Sequence, residues 1–456
     1  MGGFSGLHVA LSGLRAAQRG LDVTGHNIAN ANTEGYSRQR VGFVADAGPL
    51  VPALHSRWTG AGGGVRSGVT ERLRDDFLRL RSLQEHGAEA GLRRTQVTLG
   101  RIEAIFAEPD DTGLAAQLAD MWAGWDDLAN RPDDGAARAQ LVERARTLAD
   151  GLNGARARLD ALRGSIAEEL GATVAEVNAM AAQVAEANAR IGAALQAGLS
   201  PNDLLDQRDL LVAGLAERVG ATTRAGADGL IDVYVGDTAL VRGTRAEALE
   251  VEVTGSGPTA THALRWARDG YPADASGVVR GQLDSLGDVI PRYAGGLEDV
   301  VSSLVATVNG VHAGAVGLDG STGRPFFTVD AAGWVHVDPD IVADPSRIAA
   351  AATGAGPLDG SAAAALAATT APDDVYRQVI VALGVEARTT NQRVEIQTAI
   401  TIQVDQADEA VAGVNLDEEM VAMVSFQHAY SAAARVMTAM DEALATLIER
   451  TGIVGR

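Results

Sequence analysis

The sequence predicts a mainly α protein: an elongated multi-domain rod with terminal coiled-coil-like helices and a small inserted β domain. Three observations carry this. Apolar residues alternate by four and three at both ends of the 456-residue chain. The same alternation runs through the middle, from Leu141 to Leu195. Between 221 and 277 the period drops to two, the signature of strands.

At the N-terminal end Leu7, Leu11, Leu14, Gln18, Leu21, Gly25 and Ile28 fall on one helical stripe, which Ala10 and Ala17 widen with small residues. The helix is expected to stop between Asn27 and Gly35, where Asn, Thr and Gly favour caps and turns. At the other end Leu416, Met420, Met423, Phe426, Tyr430, Ala433, Met437, Met440, Leu444 and Leu447 form a second stripe. Asn415 is placed to cap it, with Asp417, Glu418 and Glu419 at the positive end of the helix dipole. Ordering roughly 25 residues costs more backbone entropy than five or six buried apolar side chains return. Each terminal helix therefore needs a partner surface, and the two are expected to pair antiparallel in an assembled state. A docked helical hairpin at the edge of an ordinary domain accounts for the periodicity equally well.

In the middle, Leu141, Ala145, Leu148, Leu152, Ala155, Leu159, Leu162 and Ile166 keep the alternation, which slips at Leu170 and Gly171 and resumes from Val174 through Val177, Ala181, Val184, Asn188, Ile191 and Leu195. A helix over 136–196 would be about 90 Å long, and the slip predicts a change of supercoil or a bend. Ser200 as cap and Pro201 at the first position open the next helix. Leu230 to Val241 reads as two strands around a Gly-Asp turn, while Leu249–Val253 and His262–Ala267 alternate with period two. Helix returns over about 280–313, and a hairpin follows near 326–337. An Ala/Gly-rich stretch at 349–368 reads as loop or weak helix. A last helix starts near 372 and breaks at Gly413. The implied division is 1–33, an N-terminal helix; 34–220, a first helical part; 221–277, the β insert; 278–411, a second helical part; and 412–456, a C-terminal helix.

Composition narrows function. A formal net charge of −21 argues against nucleic acid or an anionic membrane as partner. Every basic residue is arginine, which excludes a Walker-type phosphate loop and a Schiff-base lysine. Cysteine is absent, so there is no disulfide, thiol nucleophile or cysteine metal site. No stretch reaches the roughly 18 apolar residues of a membrane helix, and the N-terminus lacks the basic n-region of a secretory signal. The eight histidines (His8, His26, His55, His86, His262, His312, His336 and His428) show no metal-binding spacing. Asp319-Gly320 lacks the further acidic ligands of a calcium loop. Asp110-Asp111 and Asp133-Asp134 stand where helix caps belong, and Gly60 to Arg66 reads as a flexible connection. No constellation supports catalysis, cofactor or metal binding.

The exact wording at the ends goes further. Asn27-Ile-Ala-Asn-Ala-Asn-Thr-Glu-Gly-Tyr-Ser-Arg-Gln39 resembles the N-terminal signature of bacterial flagellar rod, hook and hook-associated proteins, and its Tyr-Ser-Arg-Gln ending resembles the hook-associated FlgK family in particular. Gly413-Val-Asn-Leu-Asp-Glu-Glu-Met420 and Phe426-Gln-His-Ala-Tyr-Ser-Ala-Ala-Ala-Arg-Val436 are similar to that family's C-terminus. So are Pro201-Asn-Asp-Leu-Leu-Asp-Gln-Arg-Asp-Leu-Leu211, Val308-Asn-Gly-Val-His-Ala-Gly314 and Gly323-Arg-Pro-Phe-Phe327 for its interior. The resemblance implies a structural junction protein that connects the hook to the filament side and permits filament assembly. Implied partners are the hook subunit, the next hook-associated protein, further copies in a ring, and an export chaperone on the C-terminal helix. Export through the flagellar type III channel without a cleaved signal is implied too. The expected assembly residues are Leu7, Leu11, Leu14, Leu21, Asn27, Ile28, Asn30 and Tyr36 at one end. At the other they are Leu416, Met420, Met423, Phe426, Tyr430, Met437, Leu444 and Leu447. A hook or rod subunit and a cytoplasmic helical scaffold are the alternatives.

Overall fold

A computed structural model describes residues 3–46, 62–108, 110 and 112–450. The sequence readings at 1–2, His55, Gly60, Ala61, Asp111 and 451–456 lie outside the described residues. Helix α1 (Gly3–Ala29) leads into a hairpin of β1 (Gln39–Asp46) and β2 (Gly64–Arg72). Four helices follow: α2 (Asp76–Phe106), α3 (Leu114–Asn130), α4 (Gly135–Gln196) and α5 (Asn202–Val219). The chain is mainly α, and α4 is its spine.

Helix α4 is unbroken because its 62 residues hold no proline and its buried face never lapses. The buried positions step by four three times in succession, Leu162 to Ile166 to Leu170 to Val174, where the periodicity slips. The helix absorbs this stutter without a break. Asp134 caps it by accepting from the Ala136 N–H at 2.8 Å. At the start of α3 the pairing differs from expectation. Asp110 makes a turn onto Thr112, and Glu108 accepts the Ala115 N–H at 2.9 Å.

Strands β3 (Thr222–Ala225), β4 (Ile231–Val235), β5 (Thr238–Arg242) and β6 (Arg245–Ala246) make an antiparallel meander, followed by a hairpin of β7 (Leu249–Thr254) and β8 (Thr261–Trp266). Both lie against α4, held by amide side chains. Asn178 reads both backbone groups of Leu249, donating to its carbonyl and accepting its N–H at 2.8 Å each. Asn188 donates to the Ile231 and Gly243 carbonyls at 2.8 and 2.7 Å.

After α6 (Gly277–Asp284) a single wide π turn over Ser285–Val289 precedes α7 (Ile290–His312). The uniform helix read for 280–313 is thus interrupted. Pro291 brings no N–H to the ladder, and the wide turn before it takes up the mismatch. Short strand β9 (Val316–Gly317) pairs with β12 (Ala349–Ala351). Between them β10 (Phe327–Val329) and β11 (Val335–Val337) form a hairpin, followed by α8 (Pro339–Ala343). The Ala/Gly-rich stretch therefore divides into strand β12 and helix α9 (Ser361–Ala367). Asn153 on α4 clamps Val335 as Asn178 clamps Leu249, at 2.8 and 3.1 Å.

Helix α10 (Ala371–Ala412) returns along α2 and α7, and α11 (Leu416–Arg450) runs back beside α1. One apolar core joins α2 to α7, the strands on α4, and α9 and α10, with Trp125, Trp266, Phe326 and Leu141 fully buried. Helices α1 and α11 stand outside that core.

Candidate assembly interface

Within the single chain, α1 and α11 already pair antiparallel, whereas the stripes alone called for pairing only on assembly. Their contact is built on small residues. Gly6 faces Met440, Gly13 faces Ala433 and Gly20 faces Phe426. A Cβ on Gly20 would stand 2.7 Å from the Phe426 ring, so a larger residue there would have to push the ring aside. Ala10, Ala17, Val23 and Thr24 are buried beside these positions. The expected leucine stripe lies one residue round the helix: Leu7, Leu11, Leu14, Leu21 and Ile28 are only half-buried. The correction has a simple cause. Close helix approach selects the face without bulk, and the leucines flank it.

On α11 the stripe divides. Met423, Phe426, Met437 and Leu444 are half-buried on the α1 side, while Leu416, Met420, Tyr430 and Leu447 are exposed. Val421 is 72 % exposed and Val424 50 %. The β1–β2 hairpin, grouped with the helical body by sequence, packs on α1 instead. Its Phe43 ring meets Phe426 at 5.9 Å between centroids, and its Val44 and Val69 remain exposed.

At the foot of the pair, three segments far apart in sequence meet. Asn27 is 1 % exposed and uses its whole amide. Its Nδ2 donates to the Gln39 carbonyl at 2.9 Å and to Glu419 Oε2 at 3.1 Å. Its Oδ1 accepts the Tyr36 hydroxyl at 2.7 Å and the Gln39 N–H at 3.0 Å. Arg38 donates to Glu419 Oε1 and Glu418 Oε2, each at 2.7 Å, and its N–H reaches the Ala412 carbonyl at 2.8 Å. Asn202 donates to Gln39 Oε1 at 3.0 Å and to the Thr70 carbonyl at 3.1 Å. That inward role explains why α5 starts at Asn202, with Pro201 in the cap position, rather than at Pro201 behind a Ser200 cap. Arg72 bridges Asp206 at 2.6 Å and Asp209 at 2.9 Å. Asn30 turns back to donate to the His26 carbonyl at 3.0 Å, closing α1. Gly35 then takes φ +75°, and a Cβ there would run into Leu210.

Burial, seconded by the charges of Asp206, Asp203 and Glu419, pushes the Tyr36 hydroxyl up, so it stays a proton donor. Burial raises the Asp206 carboxyl, against the opposing bond and charge of Arg72. Burial works against the Arg38 cation, yet the bond to Glu418 and the Glu419 charge outweigh it and raise its pKa. Asn415 accepts the Asp417 and Glu418 N–H groups, at 3.0 and 3.3 Å, and caps α11. This is a hydrogen-bonded polar node at the base of two helices, one of which, α11, leaves large apolar side chains exposed. Such a site holds and aligns.

Sequence reasoning picked out Asn27 and Tyr36 but passed over Arg38, Glu419, Asn202 and Asp206, and the glycines at 6, 13 and 20. The exact spacing of seven in both Gly6-Gly13-Gly20-Asn27 and Glu419-Phe426-Ala433-Met440 was the available signal. Among the described residues no group of His, Asp or Glu is arranged to hold a metal, and no helix is long and apolar enough to cross a membrane.

Comparison with known proteins adds three family models. One, described as the flagellar hook-associated protein FlgK helical domain, matches residues 99–327. A flagella basal body rod protein model matches 7–36, and the flagellar basal body rod FlgEFG protein C-terminal model matches 410–450. The chain is 29 % identical to flagellar hook-associated protein 1 of Bacillus subtilis, over 99 % of both chains. It is 27 % identical to flagellar hook-associated protein 1 of Salmonella typhimurium, over 70 % of this chain and 58 % of that one. A solved structure, the flagellar hook junction protein FlgK from Burkholderia pseudomallei, is 25 % identical over 56 % of this chain and 47 % of that chain, with a TM-score of 0.49.

Proposed function

The chain belongs to the flagellar hook-associated protein FlgK family, whose helical-domain model covers half of it, and from this premise we propose how it serves as the structural junction between hook and filament. It is a component of the bacterial flagellum, of a structural rather than catalytic family. The observation that carries the mechanism is the pair of terminal helices with large apolar side chains left exposed on α11. Leu416, Met420, Val421 and Val424 stand exposed on α11, and Phe43, Val44 and Val69 stand exposed on the hairpin. Exposed apolar side chains on one helix are candidates for burial by a partner. Further copies in a ring, the hook subunit below and the next hook-associated protein above would cover them. Contacts between unlike neighbours are heterologous and need a prepared end to add to.

In this reading 1–33 and 412–456 form the terminal assembly unit, with the hairpin attached to it, and the residues from α2 to α10 form the body. Leu7, Leu11, Leu14, Leu21 and Ile28 flank the helix contact, and Asn27, Asn30 and Tyr36 hold its foot. Before export through the type III channel, a chaperone with an apolar groove would shield α11 between Met420 and Leu447 through anchors at helical spacing. Truncation after Gly413 is expected to abolish capture by that chaperone in a pull-down, and undiminished binding would place the footprint elsewhere.

Deletion of the gene tests the junction role. The expected phenotype is intact hooks without filaments and flagellin shed into the medium. Loss of the hooks themselves would favour a hook or rod subunit, and full motility would dismiss both.

A further inference from the structure

Each step of seven along α1, from Gly6 to Gly13, Gly20 and Asn27, is answered by a step of seven back along α11, from Met440 to Ala433, Phe426 and Glu419. Three equivalent glycine sockets on one helix do not define a register. Sliding α11 by one heptad, about 10 Å, sets Ala433 against Gly20 or Gly6 and still meets a glycine. Small-residue packing is therefore permissive here, and something else must choose.

We propose that the Asn27–Glu419 pair is the register-determining contact of the terminal helices, with Arg38 as its support. Glu419 is 3 % exposed, in the first turn of a helix whose surface is otherwise largely open. Both of its oxygens are taken, one by Asn27 at 3.1 Å and one by Arg38 at 2.7 Å. The slide that sets Ala433 against Gly6 removes Glu419 from both donors and buries its charge against Gly20, a residue with nothing to offer. A slide the other way puts Phe426 against the Asn27 amide, where no socket exists. A single buried polar pair in a small or apolar seam is the known way that paired helices fix their alignment. The consequence is positional. The register sets the height at which Phe426 meets Phe43 of the hairpin and at which the exposed Met420, Val421 and Val424 stand along α11, so Asn27, Glu419 and Arg38 are positioning residues for that face. The assignment concerns one chain and is read on the monomer, so its failure leaves the junction reading untouched.

The absence of cysteine makes the test clean. A Cβ at position 13 would stand 3.7 Å from the Ala433 Cβ, within the roughly 3.5–4.5 Å span of a disulfide. Full-length chains carrying Ala433→Cys with Gly6→Cys, Gly13→Cys or Gly20→Cys report the three registers by oxidation rate. With Asn27 and Glu419 intact, the 13–433 pair is expected to dominate. Asn27→Gly removes the contact and adds a fourth socket, and it is expected to raise the 20–433 cross-link by about tenfold or more. Glu419→Ala is expected to raise the 6–433 cross-link similarly. Glu419→Gln, which keeps an acceptor for Asn27, is expected to restore the 13–433 preference. Circular dichroism of each chain confirms that the helices persist. An unchanged 13–433 preference in Asn27→Gly and Glu419→Ala overturns the proposal. So does loss of that cross-link with no gain at the other two, since the pair would then hold α11 without choosing its register.

Discussion

His312 shows how one side chain can tie several segments and so carry a pH dependence. It is 1 % exposed, with Nδ1 2.9 Å from the Arg324 carbonyl and Nε2 accepting the Ala349 N–H at 2.9 Å. That geometry requires a neutral ring protonated on Nδ1. Burial holds its pKa below the usual histidine range, and nearby Arg138 adds to this, while the Arg324 carbonyl and Asp338 oppose. The unfolded chain therefore takes up a proton before the folded one does. Stability is full above the ordinary histidine value of about 6.5 and falls as pH drops from there toward the lower folded value. His312→Gln is expected to remove that slope: urea midpoints between pH 7 and 5 would be flatter than those of the parent. Equal slopes would assign the loss to other groups. Asn27, Arg38 and Glu419 act on the same scale. Removing one partner from such a node leaves buried groups unpaired, at about 1–3 kcal/mol each.

At the scale of elements, asparagines on helices dock strands. Asn153 and Asn178 each read the N–H and carbonyl of one strand residue, and Asn309 on α7 accepts the Phe326 and Phe327 N–H groups at 2.8 and 2.9 Å. A short two-stranded sheet is marginal alone, so these clamps are part of why β7–β8 and β10–β11 hold. Asn178→Ala is expected to cost about 2–4 kcal/mol locally, from two backbone groups left without partners. Hydrogen exchange should quicken across Leu249–Trp266, with α4 protection unchanged. If exchange in β7–β8 stayed at the parental rate, apolar packing alone would account for the docking. Helix α4 presents Asn178 and Asn188 on the same side as its apolar row, which is why a helical seam also carries a β region.

Among the described residues the main apolar core is built from α2 to α10, and the terminal helices α1 and α11 stand outside it. Leu249, Leu264 and Trp266 belong to that core, so the β region packs against the helices through it. Exposed positions on α11 lie outside that core, so they can be altered without touching it. Val421→Asp with Val424→Asp places charges at exposed positions, so monomer helicity and solubility should match the parent. In a strain lacking the gene, the double variant is expected to leave filaments unattached and cells non-motile. Restored motility would remove the α11 face from the assembly surface.

The sequence by itself determined the long helix, because an apolar row repeated from Leu141 to Ile191 can be buried only as a helix. It determined the period-two strands, and the presence of a helix at each end. The flagellar signature was legible because Asn27, Tyr36, Arg38 and Gln39 are fixed by specific polar partners, and residues so constrained leave exact words in a chain. What only the tertiary structure decided is which face of each helix meets which neighbour. In α1 two stripes with the same alternation lie one residue apart, and periodicity ranks the leucines first. The glycine and alanine row wins because helices that approach closely need the absence of side chains. The pairing of β1 with β2 was equally hidden, since these strands alternate weakly and are tied down by α1. The meeting of Asn27 with Glu419, and of Gln39 with Asn202, spans hundreds of residues. Local propensity carries no record of such contacts; they exist only once the body has brought the start of α5 and the foot of α11 to the same place.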